Sequence, residues 1–181
     1  MEKTNGIKNT LVYWLATEIY YLNHIFITRY IPKFTRTHDQ MEQAGRSGKQ
    51  DLVEGSQENS IESNLKLSGV SRASYAELAE DYKDFLWKKN LKLWDKDDPR
   101  VMRLRAILIN PHETHVTNET HEWHEISFDN PEAFANLMFT LCTKMGFLMD
   151  RFLKGIEKSF IEKGGFRENL FKKRLEQKRN R

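Results

Sequence analysis

Helical periodicity is the feature of this chain that most restricts its fold. The clearest example begins at Asn130–Pro131 and ends at Gly164–Gly165, and between them apolar side chains recur every three or four residues. A helix of this length has to bury its apolar face against other helices, because isolated helices are only marginally stable in water. The segment therefore predicts one long helix of a helical bundle.

Three earlier segments have the same periodicity: Thr10 to about Ile31, a segment starting near His38, and about 30 residues following Asn59. The third carries two adjacent apolar rows, which indicate two neighbouring helices, as in a bundle. No segment alternates apolar and polar residues like a strand, so the chain is predicted to be all-α. The two rows are Ile61, Leu65, Ser68, Tyr75, Ala79, Tyr82 and Leu86, and Leu67, Val70, Leu78 and Phe85.

Capping residues predict the helix ends. Thr37 is followed by a glutamine three residues later, which is a capping box and places a helix start at His38. Asn59 is expected to cap the next helix, and Gly55 is expected just past the end of the second. Two further helices are expected to begin at Asp98–Pro99 and at Asn130–Pro131, and the first of them is short.

Small residues on the second helix predict close packing. Ala44 and Gly48 lie on its narrow apolar face, and Gly45 adds a second interior glycine. Each glycine costs roughly 1 kcal/mol against alanine inside a helix. We therefore expect another backbone to pass close to this helix.

The single cysteine excludes an internal disulfide and a Cys-rich zinc site, and it is typical of a reducing compartment. We therefore expect a cytoplasmic protein. Cys142 lies on an apolar helix face, which predicts a buried structural thiol and not a nucleophile. The first apolar segment would place Asn23 and His24 inside a bilayer, so it predicts a core helix and no membrane partner.

Fragments that resemble catalytic motifs fail the requirements of those motifs. In "GRSGK" the glycines are too close together for a phosphate-binding loop, and Gln50 stands where Ser or Thr is needed. "GVSRA", around Ser71, lacks the closing glycine of a nucleophile elbow. A group of carboxylates lacks the Glu-x-x-His pairs of di-metal bundles and indicates a solvated helix face. These carboxylates are Glu77, Glu80, Asp81 and Asp84. We predict no enzymatic activity and no cofactor.

Four histidines lie close together in "HETHVTNETHEWHE". His112 and His115 form one pair and His121 and His124 another, each with the three-residue spacing that could hold a divalent metal ion on a helix. However, "HVTNET" between the pairs has little helical preference, and structural zinc usually recruits Cys alongside His. We favour a polar surface loop, and a metal-dependent enzyme is the alternative hypothesis.

Positive charge is concentrated at the C-terminal end. From Lys163 to Arg181 there are eight basic residues and two glutamates, which gives 8 − 2 = +6, whereas the whole chain carries +3. Phenylalanines are interleaved with these cations, as in surfaces that stack bases and hold phosphates. The candidate RNA- or DNA-binding residues are Arg46, Lys49, Arg167, Lys172, Lys173, Arg174, Lys178 and Arg179. Without nucleic acid, Phe166, Leu170 and Phe171 would pack the last helix onto the bundle or onto a neighbouring subunit and leave the cations solvated. The alternative function is a self-associating scaffold without nucleic-acid binding, which is favoured by the wide aromatic stripe of the first helix and the small-residue face of the second.

Four sequence stretches resemble the four-helix-bundle family typified by the ribosomal-RNA intervening-sequence proteins, and in particular its branch with a C-terminal "four helix bundle suffix". These stretches are "QAGRSGKQDLVEGS", "LKLSGVSRASYAELAEDYKDFL", "LWDKDDPRV" and "EKGGFRENLFKKR". Together with the first and fourth helices, the resemblance covers nearly all of residues 10–175.

The resemblance implies an up-and-down four-helix bundle within residues 1–161, with a loop insertion at about 110–130 and a basic suffix helix over 162–181. It places bundle helices at about 10–31, 37–55, 60–90 and 131–161, and makes the 98–109 helix an inserted element. It also implies a homo-oligomer, specifically a pentamer. A relative in the family binds nucleic acid through a basic surface, which makes RNA or DNA an expected partner.

Overall fold

The structure is a computed structural model that describes residues 6–109 and 121–179. Within these ranges lie six α-helices, one short 3-10 turn over Ile7–Asn9, and a two-stranded hairpin. The helices are α1 (Leu11–Tyr30), α2 (Arg36–Gln57), α3 (Ile61–Lys88), α4 (Pro99–Ala106), α5 (Pro131–Lys163) and α6 (Phe166–Arg179), and the strands are β1 (Glu122–Trp123) and β2 (Ile126–Ser127). No helix among the described residues is long and apolar enough to cross a bilayer.

The long helices α1, α2, α3 and α5 form an up-and-down bundle in which each packs against its neighbours in the sequence and α1 closes the ring against α5. The predicted all-α fold is confirmed. The short inserted helix α4 packs on α5. The hairpin of two residues per strand was not predicted, because so short a pair leaves no alternating pattern in the sequence.

An aromatic cluster fills one level of the bundle. Phe26 of α1 is fully buried, and the centre of its ring lies 4.9 Å from those of Tyr82 and Phe85 and 5.2 Å from that of Phe134. The rings meet edge to face, which is the arrangement that aromatic quadrupoles favour. This cluster ties α1, α3 and α5 together.

Two glycines of α2 leave room for side chains of the neighbouring helices. A Cβ at Gly45 would lie 2.6 Å from Asn23 Nδ2, and one at Gly48 would lie 2.7 Å from Tyr75 Cζ. The atoms nearest to these two positions are thus side chains of α1 and α3, and α3 also packs closely here, since the Ser71 hydroxyl donates to the Gly48 carbonyl oxygen at 2.6 Å. Because the side chains of Asn23 and Tyr75 are large, only glycine fits opposite them.

Asn23 connects three helices through a buried hydrogen-bond network. Its Nδ2 donates to the Met41 carbonyl oxygen at 2.9 Å, and the Tyr82 hydroxyl donates to its Oδ1 at 2.6 Å. This polar amide is satisfied inside the protein, as buried polar groups need to be.

Several helix ends differ from the predicted positions. The hydroxyls of Thr35 and Ser60 accept the capping hydrogen bonds of α2 and α3, in place of the predicted Thr37 and Asn59. In addition, α2 continues past Gly55 to Gln57. The competing caps were hard to separate because hydroxyl and amide side chains lie one or two residues apart at both sites. The caps at Asp98 and Asn130, and the end of α5 at Gly164, are as predicted.

Candidate interaction surfaces

The start of α6 is held against the bundle. A Cβ at Gly165 would lie 2.5 Å from Glu62 Oε1, in the first turn of α3. The pKa of Glu62 is lowered by the Ser60 hydroxyl that donates to it, and further by the charge of Arg167 and the backbone N–H of Phe166. A carboxylate at the start of α6 is favourable because the first N–H groups of a helix lack partners.

Beyond this junction, α6 stands away from the bundle, and none of its described side chains is buried. Its four large apolar side chains, Phe166, Leu170, Phe171 and Leu175, are 50%, 47%, 62% and 46% exposed. Packing of these side chains onto the chain's own bundle, one of the predicted alternatives, is therefore not what the structure contains. A helix of 14 residues is marginal in water without a partner.

Three of the cations of α6 share one side of the helix with its four large apolar side chains. At about 100° per residue, Arg167, Arg174 and Lys178 fall on one line. The pair Phe166 and Leu170 lies along one side of this line, and the pair Phe171 and Leu175 lies along the other. We call these seven residues the mixed face of α6. On the opposite side are Lys172 and Arg179, together with Glu168 and Glu176, and Lys173 lies at the border.

The two predicted cations of α2 lie on another part of the molecule. Lys49 Nζ lies 4.9 Å from the centre of the Tyr20 ring and 5.1 Å from that of Tyr21, and burial lowers its pKa. Arg46 lines a shallow recess beside Tyr20 and two acidic side chains of α2. Along the helix axis, Arg46 lies about 17 Å from Gln57, the last residue of α2. The predicted nucleic-acid-binding residues therefore form two groups, one on α2 and one on α6.

An acidic groove of about 930 Å³ runs along the outer surface between α2 and α3. Its lining contains Arg36, Asp39, Glu77, Glu80 and Asp81, so its charge is 1 − 4 = −3. Its floor is made of small side chains and of Val70, which is 44% exposed although the sequence placed it in a core row. We call this surface the α2–α3 groove. Sequence reasoning took these acids for a solvated helix face and missed the concave surface that α2 forms with them.

Asp81 lies in a region of uncompensated negative charge. Burial, and then the charges of Asp84 and Glu77, raise its pKa to about 6, whereas Lys88 acts in the opposite direction. Because the pKa is higher in the folded state than in the unfolded state, protonation of Asp81 stabilises the fold as the pH falls through 6 towards 4. At neutral pH the ionised carboxylate of Asp81 destabilises the fold, and a nearby cation would reduce this destabilisation.

The segment around His121 and His124 is a hairpin and not a helix. Its two-residue turn, His124–Glu125, has positive φ angles of 46° and 67°, and both histidine side chains are exposed. Trp123 points into the bundle, where it is 2% exposed and its Nε1 donates to the buried Glu18 carboxylate at 3.2 Å. The hairpin is thus anchored by tryptophan, which the histidine-centred interpretation overlooked. A single large aromatic residue among polar ones was the available signal.

The metal hypothesis can be compared with the structure only in part, because His112 and His115 lie outside the described residues. Among residues 6–109 and 121–179, no three His, Cys, Asp or Glu side chains are grouped as metal ligands would be. Cys142 is buried in the bundle, and burial raises its pKa, so the thiol is in its neutral form there. This agrees with the predicted structural role of Cys142.

Comparison of the chain with protein-family models, with curated proteins and with solved structures found no match. The family resemblance based on the sequence motifs therefore stays a prediction.

Proposed function

We propose that this protein is a non-enzymatic helical-bundle protein that acts as a homo-oligomer, with α6 as the helix through which copies associate. The observation that carries the proposal is the half-exposed apolar side chains of α6 on a helix whose start is fixed to the bundle. Exposed apolar groups arranged on one side of an element are typical of interaction sites. The family resemblance and the predicted cytoplasmic location are consistent with this role.

Nucleic-acid binding through the same helix is the second candidate function. It is favoured by the alternation of arginine and phenylalanine on the mixed face, because cations hold phosphates and aromatic rings stack on bases. Leu170 and Leu175 favour association between protein chains instead, since aliphatic side chains offer bases no stacking surface. The pentamer implied by the family resemblance is part of the first proposal, that copies of the chain associate through α6.

Sedimentation velocity of the nuclease-treated full-length protein tests the proposal. We expect a discrete assembly from the unaltered protein and a monomer from a Phe171→Ser/Leu175→Ser variant. Because both side chains lie outside the core, the monomeric variant should still unfold in one cooperative thermal transition, which shows that its bundle remains folded. A monomeric unaltered protein at all concentrations, or an unaffected assembly of the variant, would contradict the proposal.

Filter binding of RNA and DNA across a salt series separates the second candidate from the first. Contacts with phosphates give a log–log slope of about −0.7 to −0.9 per neutralised phosphate. Weak binding with a flat slope near physiological salt eliminates nucleic acid as the partner of α6.

A further inference from the structure

We propose that the α2–α3 groove is the docking site for α6 of a second copy of this chain. This inference rests on the proposed function and deepens it by naming the surface that α6 contacts. The docked helix presents its mixed face to the groove, so that the central line of cations meets the acids and the flanking apolar side chains cover the floor.

The charges of the two surfaces are complementary. The central line of the mixed face carries three positive charges, from Arg167, Arg174 and Lys178, and the groove carries a net −3. Arg167 also acts on Glu62 of its own chain, which offsets part of the positive charge. Lys83, which lies outside the groove lining, contacts Glu80 at 2.8 Å and offsets part of that charge. The remaining acids keep the groove negative, and the pKa of Asp81 is raised first by burial and then by the charges of Asp84 and Glu77, so a cation docked beside it would be favourable.

The dimensions of the groove also suit a helix of this length. The lining extends from Arg36 to Ser47 on α2 and from Val70 to Asp81 on α3, which is about 17 Å along each axis. The 14 residues of α6 span about 21 Å. The floor residues Ala44, Ala73 and Ala76 are small, and helices approach to the usual 8–10 Å where such residues meet.

The occupant is a second copy because the chain's own α6 does not lie in its groove. The junction at Gly164, with a φ of 73°, and the contact of Gly165 with Glu62 set α6 off from the end of the bundle. In one copy, both the mixed face and Val70 on the groove floor stay exposed. Docking of α6 from one copy into the groove of the next is a heterologous contact, which closes into a ring when the rotation between copies allows it.

Three charge-reversal variants test the docking in sedimentation equilibrium. The groove variant is Glu77→Lys/Glu80→Lys, the helix variant is Arg174→Glu/Lys178→Glu, and the control is Lys172→Glu/Arg179→Glu on the opposite side of α6. All six side chains are exposed, so each variant retains the bundle. We expect the association constant to fall about tenfold or more for the groove and helix variants and to stay within about threefold for the control.

Mixing the groove variant with the helix variant gives the sharpest result. The groove variant has an intact α6 and the helix variant an intact groove, so an equimolar mixture should associate more strongly than either variant does alone. Docking within one chain cannot produce this recovery. Nucleic-acid binding would respond equally to the helix variant and to the control, because both remove the same number of cations.

Asp81→Asn separates loss of docking from loss of folding. Removing this half-buried charge should raise the thermal unfolding midpoint of the dissociated chain at pH 7, since the fold disfavours the ionised form of Asp81, and should at the same time weaken assembly. A groove variant that assembles like the unaltered protein while the helix variant does not would overturn the groove inference and leave the proposed function standing. If neither variant changes the assembly, or the mixture associates no more strongly than the variants do alone, the inference falls as well.

Discussion

Replacing Gly45 with alanine is expected to lower the free energy of unfolding by about 3 kcal/mol. Alanine is normally the better helix former, so the expected direction is opposite to the propensity effect. The new Cβ would lie 2.6 Å from Asn23 Nδ2, and the amide cannot move away without losing its hydrogen bonds to Met41 and Tyr82. Urea denaturation monitored by circular dichroism measures the change.

A double-mutant cycle identifies Asn23 as the cause. Asn23→Ala alone should cost about 2–3 kcal/mol, because it leaves the buried Tyr82 hydroxyl without its acceptor. Combined with Gly45→Ala, the total loss should be smaller than the sum of the two by at least about 1 kcal/mol, since the methyl group then enters free space. Strictly additive losses would mean that Gly45 is needed for another reason. Gly69→Ala is the control, because nothing lies within 4 Å of that Cβ position, and it should stabilise the protein by about 1 kcal/mol.

Phe26→Ala is expected to lower the free energy of unfolding by about 4 kcal/mol. The ring is fully buried and touches aromatic side chains of α3 and α5, so its removal leaves a cavity at the point where three helices meet. Trp87→Ala removes an even larger ring that is 79% exposed and should change stability by less than about 0.5 kcal/mol. Similar losses for both variants would contradict the aromatic cluster as a core element.

The helices could be predicted from the sequence because the buried face of each helix requires apolar residues every three or four positions. In α5, apolar side chains recur along the whole helix, and Pro131 and Gly164 mark its ends. The starts of α2 and α3 were displaced by one or two residues, because Thr35 and Thr37, and Asn59 and Ser60, are all good caps. Choosing between such residues requires the path of the chain before the helix, which tertiary packing decides.

The candidate surfaces were only partly predictable. The basic character of α6 follows from composition, whereas the α2–α3 groove depends on how two helices lie side by side, which periodicity does not report. Glu77 and Asp81 looked like ordinary solvated acids for this reason. The hairpin was not predicted, because the histidines of this segment suggested a metal site. The residue that anchors the hairpin is Trp123, which donates a hydrogen bond to Glu18, more than 100 positions away in the sequence.

The central claim is that another copy of the chain covers the exposed apolar side chains of α6. Amide hydrogen exchange of the full-length protein, followed by mass spectrometry across a dilution series, measures this directly. In a concentrated sample, where copies associate, the amides of Phe166–Arg179 should be protected, and on dilution their protection should disappear while that of α3 and α5 persists. Unprotected α6 amides in the assembled protein, or protection that survives full dilution, would contradict the account.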